Sequence, residues 1–266
     1  MASNQPFKVE WSQSYKSTPS AIGFLDLPRE LRQIVYDYAF RVSGAIFFFD
    51  SERSYFRRVI QAKVVRLLDE GPAEPQSMSS AVTMALLRSC RQVHAECCEV
   101  LFGSNVFQTY ESALELAPAY STFLRHIIYI AGTDQRIYMR SMDTFMYIWR
   151  SKFWPHVTER SAVFLQRYQN LESLTIPIKS DLYGKTWRPP IMSSDNKTRE
   201  QRVRIAAGWL KSLCVFQNDR LRKCLHLEIL PYSKKEYEYS KFAPEVDEME
   251  WDCREFGEAF ELMKTL

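Results

Sequence analysis

Apolar residues first fall into a helical rhythm at FLDLPRELRQIVYDYAF, residues 24–40. There Leu27, Leu31, Ile34, Val35 and Tyr38 share one stripe, while Arg29, Arg32 and Asp37 take the opposite, wet side. Asp26 is placed to accept the first helix amides, and Pro28 suits a first turn. GAIFFFD, residues 44–50, is a short apolar run that reads as a strand. SYFRRVIQAKVVRLLDE, residues 54–70, puts Phe56, Val59, Ile60, Val64, Leu67 and Leu68 on one helical face; helix is the expectation, with strand left open by its valines. GPAEPQSMSS is a loop by its proline and small polar residues. A second helix is expected over AVTMALLRSCRQVHAECCEVLF, residues 81–102, with Leu86, Leu87, Cys90, Val93, Cys97 and Leu101 in line and Gly103 in the place of a left-handed cap. NVFQTY then reads as a strand.

After about residue 115 the texture changes. Three helical stripes appear: Met142, Phe145, Met146 and Trp149; Ser161, Phe164, Leu165 and Tyr168; and Val203, Ala206, Ala207, Leu210, Leu213 and Cys214. Three similar phrases lie near them, FLRHIIYIAG, NLESLTIPI and RLRKCLHLEIL, each a leucine followed by alternating apolar positions. The sets are Leu124, Ile127, Tyr129; Leu171, Leu174, Ile176, Ile178; and Leu221, Leu225, Leu227, Ile229. A strand preceded by a helix, repeated, predicts a right-handed layer of helices over parallel strands. The spacing of roughly 50 residues exceeds that of a regular leucine-rich repeat, so an irregular, leucine-rich-repeat-like α/β half is expected. SDLYGKTWRPPIMSSDNKT is a long polar loop, and a short final helix carries Phe256, Ala259, Phe260 and Met263. The fold class is α+β.

Size and composition allow a real core: 266 residues, 46% hydrophobic, can bury roughly 70% of the unfolded surface. Lys plus Arg number 35 against 32 acids, a net charge of only +3, which disfavours nucleic acid as partner. No apolar run approaches the ~20 residues of a membrane span, and the polar N-terminus lacks the apolar core of a signal peptide. The six cysteines fall mostly on apolar faces and read as reduced thiols of an intracellular protein, cytoplasmic or nuclear.

Candidate chemistry is sparse. Cys90, His94 and Cys97 have the spacing of one helix face, and Cys98, Cys214, Cys224 or His226 could complete a zinc set. No Cys-x-x-Cys pair occurs, and cysteine commonly serves as a small buried hydrophobe, so neither a metal nor a cofactor is assigned. A thiol on an apolar seam is also a poor nucleophile. No nucleophile elbow, zinc-protease, P-loop or dinucleotide motif is present, and only eight glycines occur; no catalytic residue is assigned. A spatial pair of carboxylates stays open. The basic residues Arg53, Arg57, Arg58, Lys63 and Arg66, and the stretch Lys185, Arg188, Lys197, Arg199, Arg202, Arg204 and Lys211 with Trp187 and Trp209, read as solvated faces. The acidic stretch 245–261 reads as a solvated face or an attractor of a basic partner.

LDLPRELRQIVYDYAF resembles the opening of an F-box, with its leucine-proline, acidic-leucine pair and helically spaced isoleucine and aromatics. LLRSCRQVHAECCEVLFGSNVF resembles the second signature of a large family of fungal F-box-like proteins, mostly of unknown function, carried here by Cys90, Arg91, Gln92, Phe102, Gly103, Asn105 and Phe107. Residues 1–22, polar and rich in Ser, Gln and Lys, read as a loose tail; with the resemblance, 23–112 is expected to be an F-box-like module with a strand-containing insert and 113–266 an α/β repeat-like interaction region. The resemblance further implies docking of a Skp1-type adaptor of a ubiquitin ligase through Leu27, Pro28, Leu31, Ile34 and Val35, with Leu87 and Cys90 from the later helix, and presentation of a substrate protein. Two other readings stay open: a self-contained scaffold or regulator without adaptor binding, and an enzyme with an unrecognised site.

Overall fold

A computed structural model describes residues 22–51, 59–67, 70–110, 116–131, 141–179, 187–230 and 252–266. Expectations that fall on 1–21, 52–58, 68–69, 111–115, 132–140, 180–186 and 231–251 lie outside the described residues; they include the N-terminal tail, Arg53, Arg57, Arg58, Lys185 and the first part, 245–251, of the acidic stretch.

One mixed seven-stranded sheet organises the chain. Its strands are β1 (Ala45–Ser51), β2 (Val59–Val65), β3 (Gln76–Ser77), β4 (Val106–Thr109), β5 (His126–Tyr129), β6 (Ser173–Lys179) and β7 (Leu225–Leu230), in spatial order β3-β2-β1-β4-β5-β6-β7. β1, β2 and β3 form antiparallel pairs; β1-β4-β5-β6-β7 run parallel. β4 and β5, which flank residue 112, pair in this sheet. Each parallel strand from β5 onward lies beside the strand before it in sequence, so the connecting helices stack on one face. The helices are α1 (Arg29–Phe40), α2 (Met78–Ala81), α3 (Met84–Leu87), α4 (Arg91–Gly103), α5 (Pro118–Ser121), α6 (Met142–Ile148), α7 (Trp154–Arg167), α8 (Arg199–Leu213), α9 (Asp219–Cys224) and α10 (Arg254–Met263), with a π-helical turn at Trp149–Phe153 between α6 and α7.

Period-2 alternation sorts the strand residues. Ile46, Phe107, Ile127, Tyr129, Leu174, Ile176, Ile178, Leu225, Leu227 and Ile229 point into the main core under the helices. The predicted stripes of α6 to α8 and α10 supply its other half, around Trp149, whose indole N–H reaches Cys214 Sγ at 3.4 Å. The opposite sheet face carries a smaller cluster of Ala45, Phe47, Val65, Ile128, Ile130 and Leu230. Gly44 and Gly71 face each other at the antiparallel end with φ of 99° and 105°; a β-carbon on Gly44 would lie 2.2 Å from the Val65 carbonyl oxygen, so only glycine fits. α10 lies against the edge strand β7, where a β-carbon on Gly257 would sit 3.6 Å from the Leu227 carbonyl oxygen.

Five expectations are corrected. Residues 59–65 are a strand, because valine-rich Val59–Val65 pairs along its length with β1. The helix expected over 81–102 is broken: Val82 is extended, Thr83 N–H bonds to Ala39 O of α1, and Cys90 is extended again. Gly103 ends α4 without a positive φ, and Ser104 continues in right-handed geometry. Near 190 the loop is not a polar surface, since Trp187, Ile191 and Met192 are buried in the main core. Within RLRKCLHLEIL the first residues form α9, and the strand begins at Leu225.

Gln108 occupies the centre of the second sheet face, in register with Phe47 and Ile128. It is fully buried, and among the described residues neither end of its amide has a hydrogen-bond partner. An unpaired buried amide costs about 1–3 kcal/mol. Gln108→Met, close in shape, is therefore expected to stabilise the protein by about 1–3 kcal/mol, read as a rise in denaturation midpoint. An unchanged or lowered midpoint would mean the amide is satisfied in solution.

Candidate functional site

The N-terminal helices hold the residues picked out by sequence. Arg32 lies on the inner side of α1 with Tyr36 and Phe40, not on the wet side expected for it. Its guanidinium forms a two-pronged pair with Glu96 of α4, Nε to Oε2 at 2.9 Å and Nη2 to Oε1 at 2.8 Å. It also donates to the carbonyls of Leu25 and Leu27, and so fixes the turn that enters α1. The Tyr36 hydroxyl donates to Glu96 Oε2 at 2.9 Å, and Gln92 adds a bond to Oε1 at 3.0 Å. A buried Arg is tolerable here because each of its three guanidinium nitrogens meets an acceptor.

These bonds set the charges. Hydrogen bonding from Arg32 holds the Glu96 carboxyl down at about 2, and burial, helped by the bond to Glu96, pushes the Tyr36 phenol up to about 12. The Glu96 value lies below its ordinary 4.5, so the pairing contributes fully above about pH 4.5 and is lost as pH falls toward 2. Acid unfolding of the parent is expected to be steeper in that window than that of Glu96→Gln. Equal slopes, followed by circular dichroism, would contradict the assignment.

Asn105 closes the other end of the helix pair. Buried just before β4, it accepts from Val42 N–H and donates to the carbonyls of Phe40 and Leu101, all at 2.9 Å. Much of the second signature thus has a structural role. Cys90 caps α4, its sulfur accepting from Val93 N–H; Gln92 braces Glu96; Phe102 stacks on Phe107 and on Tyr120; Asn105 ties α1 to α4.

With Arg32, Tyr36 and Phe40 turned inward, the apolar stripe of α1 faces outward. Leu31 is 48% exposed, Ile34 64%, Val35 40% and Tyr38 94%. Leu25 and Ile22 continue the exposed surface before the helix, and Pro28 is exposed as well. Leu27 and Leu87 are half-buried and Cys90 is exposed. All seven positions picked out for docking are therefore open to solvent to some degree. The inner face was missed from sequence because it carries an arginine; the sign would have been Glu96 on the later helix, four residues after Gln92.

The thiols and imidazoles meet only once among the described residues: His94 Nε2 lies 3.6 Å from Cys98 Sγ and 3.2 Å from the Tyr120 hydroxyl, and Nδ1 meets the Leu87 carbonyl at 2.8 Å. Cys97, Cys98, Cys214, Cys224 and Cys253 are buried free thiols. Burial raises the Cys97 and Cys214 thiols to about 12. Among the described residues no group of three or more His, Cys, Asp or Glu is placed to hold a metal, and no helix is long and apolar enough to cross a membrane. The two charged stretches meet each other: Arg199 pairs with Glu258 and Asp252, and Arg202 with the buried Glu255. Arg188 pairs with Asp195.

The fold and this helix pair define an α+β protein with an exposed apolar helix face braced from behind by a polar clamp. The chain belongs to the family described as Domain of unknown function (DUF7730), whose model matches residues 16–197 and so takes in α1 to α7. No curated protein and no solved structure matches it.

Proposed function

We propose that this chain is a non-enzymatic interaction protein whose F-box-like N-terminal helices dock a Skp1-type adaptor, with the leucine-rich-repeat-like remainder presenting a substrate protein to a ubiquitin ligase. One observation carries the reading: four stripe positions of α1, Leu31, Ile34, Val35 and Tyr38, are spent on solvent. A helix in a protein of this size ordinarily turns such a stripe inward, and a contiguous exposed apolar patch marks an interaction site. The F-box resemblance supplies the partner.

The scaffold reading draws on a different feature. Between α1 and α4 the chain inserts the antiparallel strands β1 to β3, where an ordinary F-box continues directly into its next helices. Mixing the purified chain with a purified Skp1-type adaptor separates the two. Co-elution as a stoichiometric complex is the expected result; a folded chain that runs alone at micromolar concentrations would leave the scaffold.

A further inference from the structure

The basic stretch of the second half shrinks once its ion pairs are drawn. Arg188, Arg199 and Arg202 are neutralised by Asp195, Glu258, Asp252 and Glu255. Trp187 is buried, but Trp209 is not. What is left on the outer side of α8 is a compact surface. Ile205 and Trp209, one turn apart, form an exposed apolar strip. Gly208 sits beside them, and a β-carbon there would meet nothing within 4 Å, so another backbone can approach closely. Arg204 is exposed and has no hydrogen bond or ion pair among the described residues; Glu200, one turn earlier, is not within pairing distance of it. At the far end of the strip Arg150 donates to the Ser212 carbonyl at 3.4 Å, which brings the outer side of the π turn to α8. No described carboxylate pairs with Arg150 either, and Tyr147, one turn before it, is 67% exposed.

We propose that this α8 face docks an acidic segment of a partner protein, anchored by apolar side chains on Ile205 and Trp209 and by carboxylates on Arg204 and Arg150. The proposal rests on the reading of the chain as an interaction protein and adds the chemistry of a second partner. Charge complementarity selects the occupant: cations at both ends of an apolar strip call for carboxylates flanking a hydrophobic anchor. Exposed tryptophan and arginine are also the side chains that most often dominate binding energy. Single-stranded nucleic acid fits less well, because tracking a phosphate backbone takes a longer row of cations, and Ile205 offers no ring to stack on. The surface is separate from α1: α8 leads toward β7 at one end of the sheet, whereas α1 packs on α4 at the other.

The test uses the full chain carrying Leu31→Asp and Ile34→Asp, which removes the α1 face. A phage-displayed library of random helical peptides is selected on it, and a selected peptide is synthesised and titrated by fluorescence anisotropy. Selected sequences are expected to combine Asp or Glu with Leu, Phe or Trp. Affinity is expected to fall at least tenfold with Trp209→Ala, and equally with Arg204→Glu plus Arg150→Glu, at unchanged melting temperature, and to weaken with added salt. Neutral or basic selected peptides, no selection at all, or affinity indifferent to both variants would overturn the proposal. So would a 12-nucleotide uridine RNA that binds in place of the peptide and is lost with the same variants. Adaptor binding is measured on the parent chain, so either reading can fail alone.

Discussion

Exchanging Leu31 and Ile34 for aspartate is expected to abolish adaptor capture while leaving the fold intact. In a core the same pair would be ruinous, since each aliphatic side chain is worth roughly 1.5–3 kcal/mol and a carboxylate would be buried in its place. On α1 both positions are about half exposed or more, and the helix is held by Arg32, Tyr36 and Phe40 on its other side. Surface substitutions of this kind typically change stability by about 0.5 kcal/mol, and acids near a helix N-terminus are favoured by the dipole. Binding is a different matter: losing two aliphatic anchors amounts to about 3 kcal/mol or more, roughly a hundredfold or more in Kd. The measurements are thermal unfolding and co-elution with the adaptor. A large fall in melting temperature would show that the stripe holds the fold; undiminished co-elution would show that the adaptor docks elsewhere.

Asn105→Ala is expected to be the most damaging single truncation near the site, at about 3–5 kcal/mol. Its amide satisfies three backbone groups, Val42 N–H and the carbonyls of Phe40 and Leu101, where water does not replace it. Each orphaned group costs about 1–3 kcal/mol, less than additively because the three share one cavity. In a protein of this length the loss corresponds to a fall in melting temperature of about 10 °C. Asn105→Asp should not rescue, since it keeps the acceptor for Val42 but sets a carboxylate against two carbonyls. A cost below about 1 kcal/mol would mean that the α1–α4 junction is held by other contacts. Because the same side chain positions the C-terminal end of α1, weaker adaptor binding should accompany the loss of stability.

The strands of the second half were readable because their signal is local. Leu174, Ile176 and Ile178 fall at every second position, and all three are buried. The stripes of α6, α7, α8 and α10 were readable for the same reason. What could not be read locally was direction. Charge alone put Arg32 on the wet side of α1, but Arg32 found Glu96 sixty-four residues later, and that pair turned its face inward. Breaks at Val82 and Cys90 were equally hidden, since leucine and cysteine continue a helical pattern while Thr83 is drawn to Ala39 and Cys90 caps α4. The valine-rich run at 59–65 fitted both periods until β1 lay beside it. The seven candidate docking residues are all at least partly exposed, although the face expected to carry Arg32 into water was the one that packs.

Sequential strand order carries a consequence for how the chain is made. Every parallel strand from β5 onward joins the one synthesised just before it, so no late segment has to thread between early ones. Each closure from β5 onward spans only the one helical connection between neighbouring strands, which favours stepwise assembly. A chain emerging from the ribosome can add one strand and its covering helix at a time, leaving a single growing rim at each stage. That rim is the hazard of such a route, because a raw strand edge invites other chains. α10 follows β7 in the chain and settles beside it with Gly257 against its backbone, so the rim stays bare until α10 has been made.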